Sequence, residues 1–201
     1  RITAQLIDTG DGAHLWTERY EHDLSAAGVF AIQDDITEQV TVALASRYGV
    51  LMERDLNAAR RKPPERMESY DCVLLAMVFW EHATIDDFPA LLECLEEAVK
   101  AEPDYVDGWT RLSLLYTAAY EMALDVRPDP AALALNAAER AVALAPRRYD
   151  AHHAKAAAHF FLHQIDAAIE EIEITVSLNA NDPDVLAELG NHLALVGESE
   201  R

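Results

Sequence analysis

The sequence predicts a mainly α-helical protein: an amino-terminal β-hairpin and a long helix, followed by an α-solenoid of stacked helical hairpins. Three observations support this prediction. Apolar residues recur every three or four positions through most of the chain, the period of an α-helix. Similar segments recur about every 34 residues after Met67. Alanine occurs 35 times and glycine only 7 times in 201 residues, a balance typical of closely packed helices.

The chain opens with two β-prone runs, residues 1–8 and 13–20, on either side of the turn Thr9-Gly10-Asp11-Gly12. An Asp-Gly turn between two such runs predicts a β-hairpin. A lone hairpin is only marginally stable in water, so we expect its edges to pair with strands upstream or on another chain. Because the first residue is Arg1 and a strand is already under way there, we interpret the chain as a piece of a longer protein.

One long helix is predicted from Val29 to about Ala59, because apolar residues recur there at helical spacing. The sequence Arg-Arg-Lys-Pro-Pro at residues 60–64 ends this helix, since two successive prolines cannot continue it. We therefore expect two domains, residues 1–62 and residues 63–201.

The second domain divides into helical hairpins at residues 67–105, 106–148 and 149–182, followed by a half repeat at residues 183–201. The unit 149–182 has 34 residues, whereas the unit 106–148 has 43. The extra residues of the unit 106–148 fall at 121–129, where Pro128 and the following Pro130 mark a long turn. The first unit has fewer extra residues, which lie near residues 84–87.

Each unit has a small residue where its second helix must approach the first: Ala76, Ser113, Ala156 and Gly190. Larger side chains fill the space beside it, as Trp109 and Tyr116 do in the second unit. Prolines break the chain between units, at Pro103 and Pro146.

This arrangement resembles the tetratricopeptide repeat, which has Trp, a small residue and Tyr on its first helix and Pro at its end. The third unit departs from the pattern, because His152 and His159 stand where Trp and Tyr are usual. Ala180 likewise replaces the closing proline. We therefore expect the third unit to pack more loosely than its neighbours.

The first 40 residues resemble the segment that precedes such repeats in a family of bacterial multidomain signalling proteins. The resemblance rests on the runs at residues 1–8, 12–16, 18–20 and 30–37. In that family a class III adenylate/guanylate cyclase domain, or a winged-helix DNA-binding domain, is followed by a TolB-amino-terminal-like α/β domain and then by the repeats. Residues 1–62 would be the end of that α/β domain. The resemblance implies a regulatory and scaffolding piece, and it carries over no catalytic residue.

Composition excludes several other functions. The chain has 16 Lys and Arg against 36 Asp and Glu, a net charge of −20, which disfavours binding to nucleic-acid backbones. No apolar run approaches the 18 or more residues of a membrane span, so no membrane partner is expected. Two cysteines, Cys72 and Cys94, are too few for a disulfide scaffold and lie in no metal-ligand spacing, so we expect a reducing, cytoplasmic setting.

No motif for catalysis or for cofactor binding is present: the sequence has no G-x-S-x-G, no Gly-rich phosphate loop and no H-E-x-x-H. His152, His159 and His163 share one helical stripe, and the last two have the spacing of a zinc pair. The remaining stripe position, Ala156, offers no ligand, and two of these histidines occupy packing positions. We therefore predict no catalytic residue, no cofactor and no metal site.

We expect a partner segment to bind in the groove lined by the first helices of the hairpins. Eight groove residues are predicted: Asp107, Thr110, Leu114, Asp150, His153, Ala157, Phe160 and Asn191. Phe160 and Phe161 suit packing between helices equally well. This face, which also includes Asp184, lacks the Lys, Arg and Asn cluster with which chaperone-binding repeats hold a terminal carboxylate. The acidic surplus of the repeats suits a solvated outer face better than a groove for basic peptides.

The sequence thus predicts a non-catalytic interaction or regulatory module whose partner is a protein or peptide segment, including upstream domains of the same chain. The alternative is a module that forms homodimers; class III cyclases build their active sites at dimer interfaces, so the resemblance makes this role useful. A weaker alternative is a small-molecule sensor.

Overall fold

The computed structural model describes residues 1–21, 29–45, 49–63, 66–79 and 84–179, together with residues 186, 187, 190 and 194. The chain divides into two compact units, Arg1–Lys62 and Pro63–Arg201. The first unit contains two strands and two helices: β1 (Ile2–Ile7), β2 (His14–Tyr20), α1 (Val29–Ala45) and α2 (Val50–Ala59). The second unit contains six helices among its described residues: α3 (Ser69–Met77), α4 (Phe88–Ala101), α5 (Val106–Glu121), α6 (Pro130–Leu144), α7 (Tyr149–Phe161) and α8 (Ile165–Leu178).

The β-hairpin predicted at the start of the chain is confirmed. Strands β1 and β2 pair antiparallel, from Ile2 opposite Tyr20 to Leu6 opposite Trp16, with a register shift after Leu6. In the turn, the Asp8 carboxylate accepts a hydrogen bond from the amide of Gly10 at 2.7 Å, and Gly12 has a φ of 76°. That hydrogen bond holds the pKa of Asp8 below its ordinary value, against a smaller opposing effect of burial. Such a left-handed φ favours glycine, which explains why Asp-Gly stands at this turn.

The described part of the first unit has no third strand beside the hairpin. Instead, one face of the hairpin packs against α1. Tyr20, Ile32 and Ile36 are buried in this small core, and three partly buried side chains pack around it: Ala4, Trp16 and Val40. The apolar stripe of α1 therefore has the hairpin as its partner.

The prediction of one helix from Val29 to Ala59 is wrong, because the structure has two helices here. Helix α1 ends at Ala45, and α2 begins at Val50 after Gly49, whose backbone is extended with a ψ of 160°. A Cβ built on Gly49 would lie 2.7 Å from the carbonyl oxygen of Leu44, closer than any side chain tolerates. Gly49 thus precedes α2 at a position that glycine fits best, and helical periodicity on both sides did not reveal the break between the two helices.

The second unit is a tetratricopeptide-type α-solenoid, as the sequence predicts. Helices α3 and α4, α5 and α6, and α7 and α8 pack as consecutive hairpins. The first helix of each hairpin also packs against the first helix of the next, because α3 contacts α5 and α5 contacts α7. The main core is built from α3, α4, α5 and α6, with Phe88, Leu92 and Leu95 fully buried at its centre.

Both segments of extra residues that the sequence predicts lie between helices. The first includes a short 3₁₀ turn, Ile85–Asp87, in which the Asp87 carboxylate accepts hydrogen bonds from the Thr84 amide and hydroxyl. The second separates α5 from α6, where Asp129 caps α6 by accepting from the amide of Ala132. Of the half repeat at 183–201 only four residues are described, so its packing stays a prediction.

Cys72 of α3 and Cys94 of α4 form a disulfide, with Cα atoms 5.7 Å apart. The sequence analysis did not predict this bond. The two cysteines are 22 residues apart, and their spacing alone does not show that they face each other. They meet because α3 and α4 pack as a hairpin with these two positions on the facing sides.

Candidate functional site

The first helices of the three hairpins each carry partly or fully exposed side chains, which we call together the first-helix face. Its residues on α5 are spaced four and three apart and so lie on one side of that helix. The face comprises Tyr70 and Met77 of α3, Asp107, Arg111 and Leu114 of α5, and Asp150 and Phe160 of α7. Because α5 packs against both α3 and α7, these side chains belong to neighbouring helices of one continuous layer.

The structure brings two predicted groove residues, Asp107 and Asp150, together through Arg148. One guanidinium nitrogen of Arg148 lies 2.6 Å from Asp107 and 2.6 Å from Asp150, and Nε donates to Asp150 at 2.9 Å. Burial raises the pKa of the Asp150 carboxyl, but the hydrogen bonds and charge of Arg148 outweigh it, so the net shift is downward. Both carboxylates therefore share the Arg148 cation, and the charge of Arg111 also stabilises the ionised form of Asp150.

Three predicted groove residues are enclosed by their neighbours. Thr110 is 0% exposed, and its hydroxyl donates to the carbonyl oxygen of Val106 at 3.0 Å. His153 and Ala157 are also buried. Since α5 and α7 pack directly on each other, their adjoining sides are covered, and these three side chains offer no surface to a ligand. Asn191 and Asp184 lie outside the described residues.

Aromatic side chains gather near the carboxyl-terminal ends of α5 and α7. The rings of Phe160 and Phe161 pack edge to face with their centroids 5.3 Å apart, and those of Tyr120 and Phe161 pack in the same way with centroids 5.9 Å apart. Tyr120 is 42% exposed, and both phenylalanines are partly exposed. Phe160 and Phe161 therefore combine the two uses that the sequence left open, since each packs on another ring and still presents part of its surface.

In the second hairpin, the predicted packing residues combine apolar contact with hydrogen bonds. The indole nitrogen of Trp109 donates to the carbonyl oxygen of Pro103 at 2.9 Å, and Ser113, which is buried, donates to the carbonyl oxygen of Ala134 at 2.9 Å. The hydroxyl of Tyr116 donates to Glu96 at 2.8 Å. Burial and this hydrogen bond to a carboxylate raise the pKa of Tyr116, so it stays neutral.

The third hairpin has buried polar side chains at the positions that Trp109 and Tyr116 occupy in the second hairpin. Nδ1 of His152 lies 2.6 Å from the Glu171 carboxylate, and Nε2 lies 3.0 Å from the carbonyl oxygen of Pro146. Lys155 donates to the other oxygen of Glu171 at 2.6 Å. Burial raises the pKa of Glu171, but the hydrogen bonds from Lys155 and His152 lower it more, so the carboxyl is held below its ordinary range. His159, at the Tyr position, contacts Gln164 through Nδ1 at 2.7 Å.

The other predicted packing residues differ in their surroundings. Ala76 and Ala156 are buried between helices, as the small-residue positions require. The carbonyl oxygen of Pro103 accepts a hydrogen bond from the indole nitrogen of Trp109, and that of Pro146 lies 3.0 Å from Nε2 of His152, roles that the sequence did not suggest. Gly190 is exposed among the described residues, and its packing role stays a prediction because most of the half repeat is not described.

The three histidines considered as metal ligands do not converge. Within the described ranges, no group of three His, Cys, Asp or Glu side chains could hold a metal ion. His152 and His159 face Glu171 and Gln164 respectively, while His163 is exposed just beyond the end of α7. No helix in the described part of the chain is both long enough and apolar enough to cross a bilayer.

Arg148, Arg111 and Tyr70 are part of the site or its support and were missed by sequence reasoning. The pattern Arg-Tyr-Asp at residues 148–150 was a usable signal, because a cation two residues before a carboxylate at a helix start can fold back onto it. Tyr70, which is 49% exposed, occupies in α3 the position that Asp107 and Asp150 occupy in α5 and α7. Aligning the three first helices would have revealed it.

No protein-family model matches the chain. Over 174 residues it is 26% identical to a protein of Rhizobium meliloti (strain 1021) named "Putative adenylate cyclase 3". The match covers 84% of this chain but only 28% of that protein. The chain therefore spans less than a third of the length of this relative.

Solved structures share the fold at low identity. A thermophilic tetratricopeptide protein of Thermus thermophilus, TTC0263, superposes with a TM-score of 0.60 at 20% identity, covering 83% of each chain. The first TPR domain of human RPAP3 gives 0.52 at 17% identity, over 69% of this chain and 98% of that domain. The first TPR of Spaghetti (RPAP3), bound to the HSP90 peptide SRMEEVD, gives 0.50 at 17% identity, over 65% of this chain and 94% of that one. These similarities establish that the fold is that of tetratricopeptide repeats.

Proposed function

We propose that the second unit is a non-catalytic protein-interaction module that docks a peptide segment on the first-helix face. The observation that carries this proposal is the continuity of that face, since α3, α5 and α7 pack side by side and each contributes exposed side chains. Tetratricopeptide neighbours support the proposal, because one of them was solved with a peptide bound.

The chemistry of the face suggests what kind of segment it takes. At one end, Asp107 and Asp150 are already paired with Arg148, so this end offers hydrogen bonds more than net charge. At the other end, Leu114 and Phe160 present apolar surface. Apolar anchors supply most of the binding energy at such interfaces, and polar groups at the rim fix orientation. The face therefore suits a peptide with one or two apolar anchor residues rather than a purely basic one.

We further infer that the chain is a regulatory part of a multidomain cyclase-type signalling protein. The support is the match to a protein named as an adenylate cyclase, of which this chain spans a little over a quarter. In that setting, residues 1–62 would be the end of a TolB-amino-terminal-like domain, and the docked segment would come from a partner or from upstream domains. The chain itself would perform no chemistry, and its expected location is the cytoplasm.

The docking proposal can be tested with a phage-displayed peptide library panned against the 201-residue chain. Peptides that are enriched should bind about tenfold more weakly to Leu114→Asp and to Phe160→Asp, since each substitution places a charge where an apolar anchor would be buried. The matched control is Asn136→Asp, which adds the same charge at an exposed position of the second helix α6.

Equal binding to all three variants would show that the peptides use another surface and would refute the docking proposal. Circular dichroism spectra of the variants must match that of the parent chain, so that a loss of binding is not a loss of folding. Peptides that lose affinity for the Asn136 variant alone would also contradict the proposal.

The hairpin supports a second candidate function, the formation of homodimers. Ile2 and Ile7 are 48% and 45% exposed at the two ends of β1. Exposed apolar residues on a two-stranded sheet favour pairing with another strand. Light scattering over a range of concentrations should then show a salt-resistant dimer that Ile2→Lys together with Ile7→Lys dissociates. A concentration-independent monomer would remove this candidate.

A further inference from the structure

The disulfide between Cys72 and Cys94 lies in the hairpin whose first helix is the shortest of the three in the part of the chain that the structure describes. Helix α3 has only 9 residues, and isolated helices shorter than about 12 residues are marginal in water. Among the described helices, α3 packs chiefly on α4 and α5, whereas α5 packs on α3, α4, α6 and α7. A covalent bond from α3 to α4 therefore adds to packing that involves two neighbouring helices.

We propose that Cys72 and Cys94 form a redox modification site whose oxidation state sets how firmly α3 stays docked on the solenoid. The bond closes a loop between residues 22 apart, and such a link removes conformations from the locally opened state. Opening of the bond leaves α3 held by packing and by its capping box, in which the Asp71 carboxylate accepts from the Glu68 amide at 2.7 Å. The inference rests on the covalent bond and is independent of the docking function proposed above.

The two cysteine residues differ in exposure, and we expect the reductant to attack the less buried one first. Cys72 is 3% exposed, whereas Cys94 is partly buried, with Met67 Sδ 3.8 Å from its sulfur. A thiolate of a dithiol reductant attacks Cys94 Sγ, the bond to Cys72 breaks, and Cys72 leaves as a thiolate and takes up a proton. The second thiol of the reductant then releases Cys94. Two electrons and two protons reach the cysteines, and the dithiol becomes a disulfide.

The state of this site depends on the redox poise around the protein. Disulfides persist in oxidising compartments and are uncommon in the cytosol, except where they switch during redox sensing. In a cytoplasmic setting the bond would open and close with the local supply of oxidant and dithiol. The disulfide-linked first hairpin is then the oxidised form of the protein.

Hydrogen exchange read by mass spectrometry tests the proposal on the intact chain, without and with dithiothreitol as the dithiol. Alkylation under denaturing conditions, before and after the reagent, first counts the thiols: none is expected in the oxidised chain and two in the reduced chain. On reduction, amides of α3 and α4 should exchange about tenfold faster, while those of α7 and α8 stay unchanged.

The variant Cys72→Ala with Cys94→Ala is the control, and its exchange should not respond to dithiothreitol. Equal exchange in the oxidised and reduced parent chain would overturn the proposal, as would two free thiols that an oxidant such as diamide fails to join. Because the decisive comparison uses the unmodified chain in two redox states, it does not depend on how well the variant folds.

Discussion

The second and third helical hairpins have different kinds of side chain at equivalent packing positions. Trp109 in the second and His152 in the third occupy the same place on their first helices, and each lies six residues after a proline whose carbonyl oxygen its ring nitrogen contacts. Beyond that shared link the two diverge. The second hairpin uses bulk around Trp109 and Tyr116, whereas the third uses the carboxylate of Glu171.

The expectation that the third hairpin packs more loosely than its neighbours stays a prediction, but the residues that replace Trp and Tyr there are not exposed. His152, His159 and Glu171 are buried, and each has a polar contact. Buried polar groups stabilise a fold only while all of them are satisfied, since one orphaned group costs more than the pair contributes. The third hairpin is therefore sensitive to pH and to single changes in the cluster around Glu171.

The largest expected effect is that of Glu171→Gln. This substitution keeps the shape of the side chain but removes the charge that pairs with Lys155 and His152, and we expect it to lower the free energy of unfolding by about 3 kcal/mol. Urea unfolding followed by circular dichroism measures the loss. The neighbour Glu170 is exposed, so Glu170→Gln should change stability by less than about 0.5 kcal/mol. Equal losses in both variants would show that the cluster has no special role.

The next largest effect is the difference in lost stability between two variants at equivalent positions, His152→Phe and Trp109→Phe. His152→Phe removes the ring nitrogens that face Glu171 and the Pro146 carbonyl, and should cost about 2 kcal/mol. Trp109→Phe removes one N–H group and part of the indole bulk at a partly exposed position, and the Pro103 carbonyl keeps a donor in Arg140 at 3.2 Å, so this variant should lose only about 1 kcal/mol. A larger loss for Trp109→Phe would mean that aromatic bulk dominates in both hairpins.

The pH dependence of stability sharpens the comparison further. Because the pKa of Glu171 is lower in the folded chain than its ordinary value of 4.5, the unfolded chain binds the proton more readily. The stabilisation from Glu171 is therefore complete above about pH 4.5 and is lost as the pH falls through the folded pKa. The difference in stability between the parent chain and Glu171→Gln should shrink over that range. A difference that is constant down to the acid limit would contradict the assignment.

The smallest expected effect concerns a feature that the two hairpins share. Their first helices are both followed closely by a residue of positive φ that is not glycine, Ala123 with 52° and His163 with 59°. Ala123→Gly and His163→Gly should each raise the free energy of unfolding by about 0.5 kcal/mol, because glycine adopts this conformation without strain. The same unfolding assay applies, and a loss of stability in the His163 variant alone would reveal a contribution from its side chain.

Much of the fold could be predicted from local patterns, and the candidate site could be predicted only in part. The hairpin turn, the helical hairpins and the loop before α6 follow from signals a few residues long, such as Asp-Gly, Pro128 and helical periodicity. The groove prediction placed Asp107, Leu114, Asp150 and Phe160 at partly exposed positions, but it also included Thr110, His153 and Ala157, which are buried. Exposure on a first helix depends on which flank the adjoining helix covers, and that is a property of two helices together.

The sequence by itself determined the repeat period, most of the helix ends and the positions of small and large packing residues, because each depends on steric rules that act within one hairpin. The tertiary structure decided the break at Gly49, the Cys72–Cys94 bond, the Arg148 link between two helices, and the use of Glu171 to satisfy His152. The reason is geometric. Each of these features depends on the distance between atoms on separate turns or helices, and residue spacing along the chain does not contain that distance.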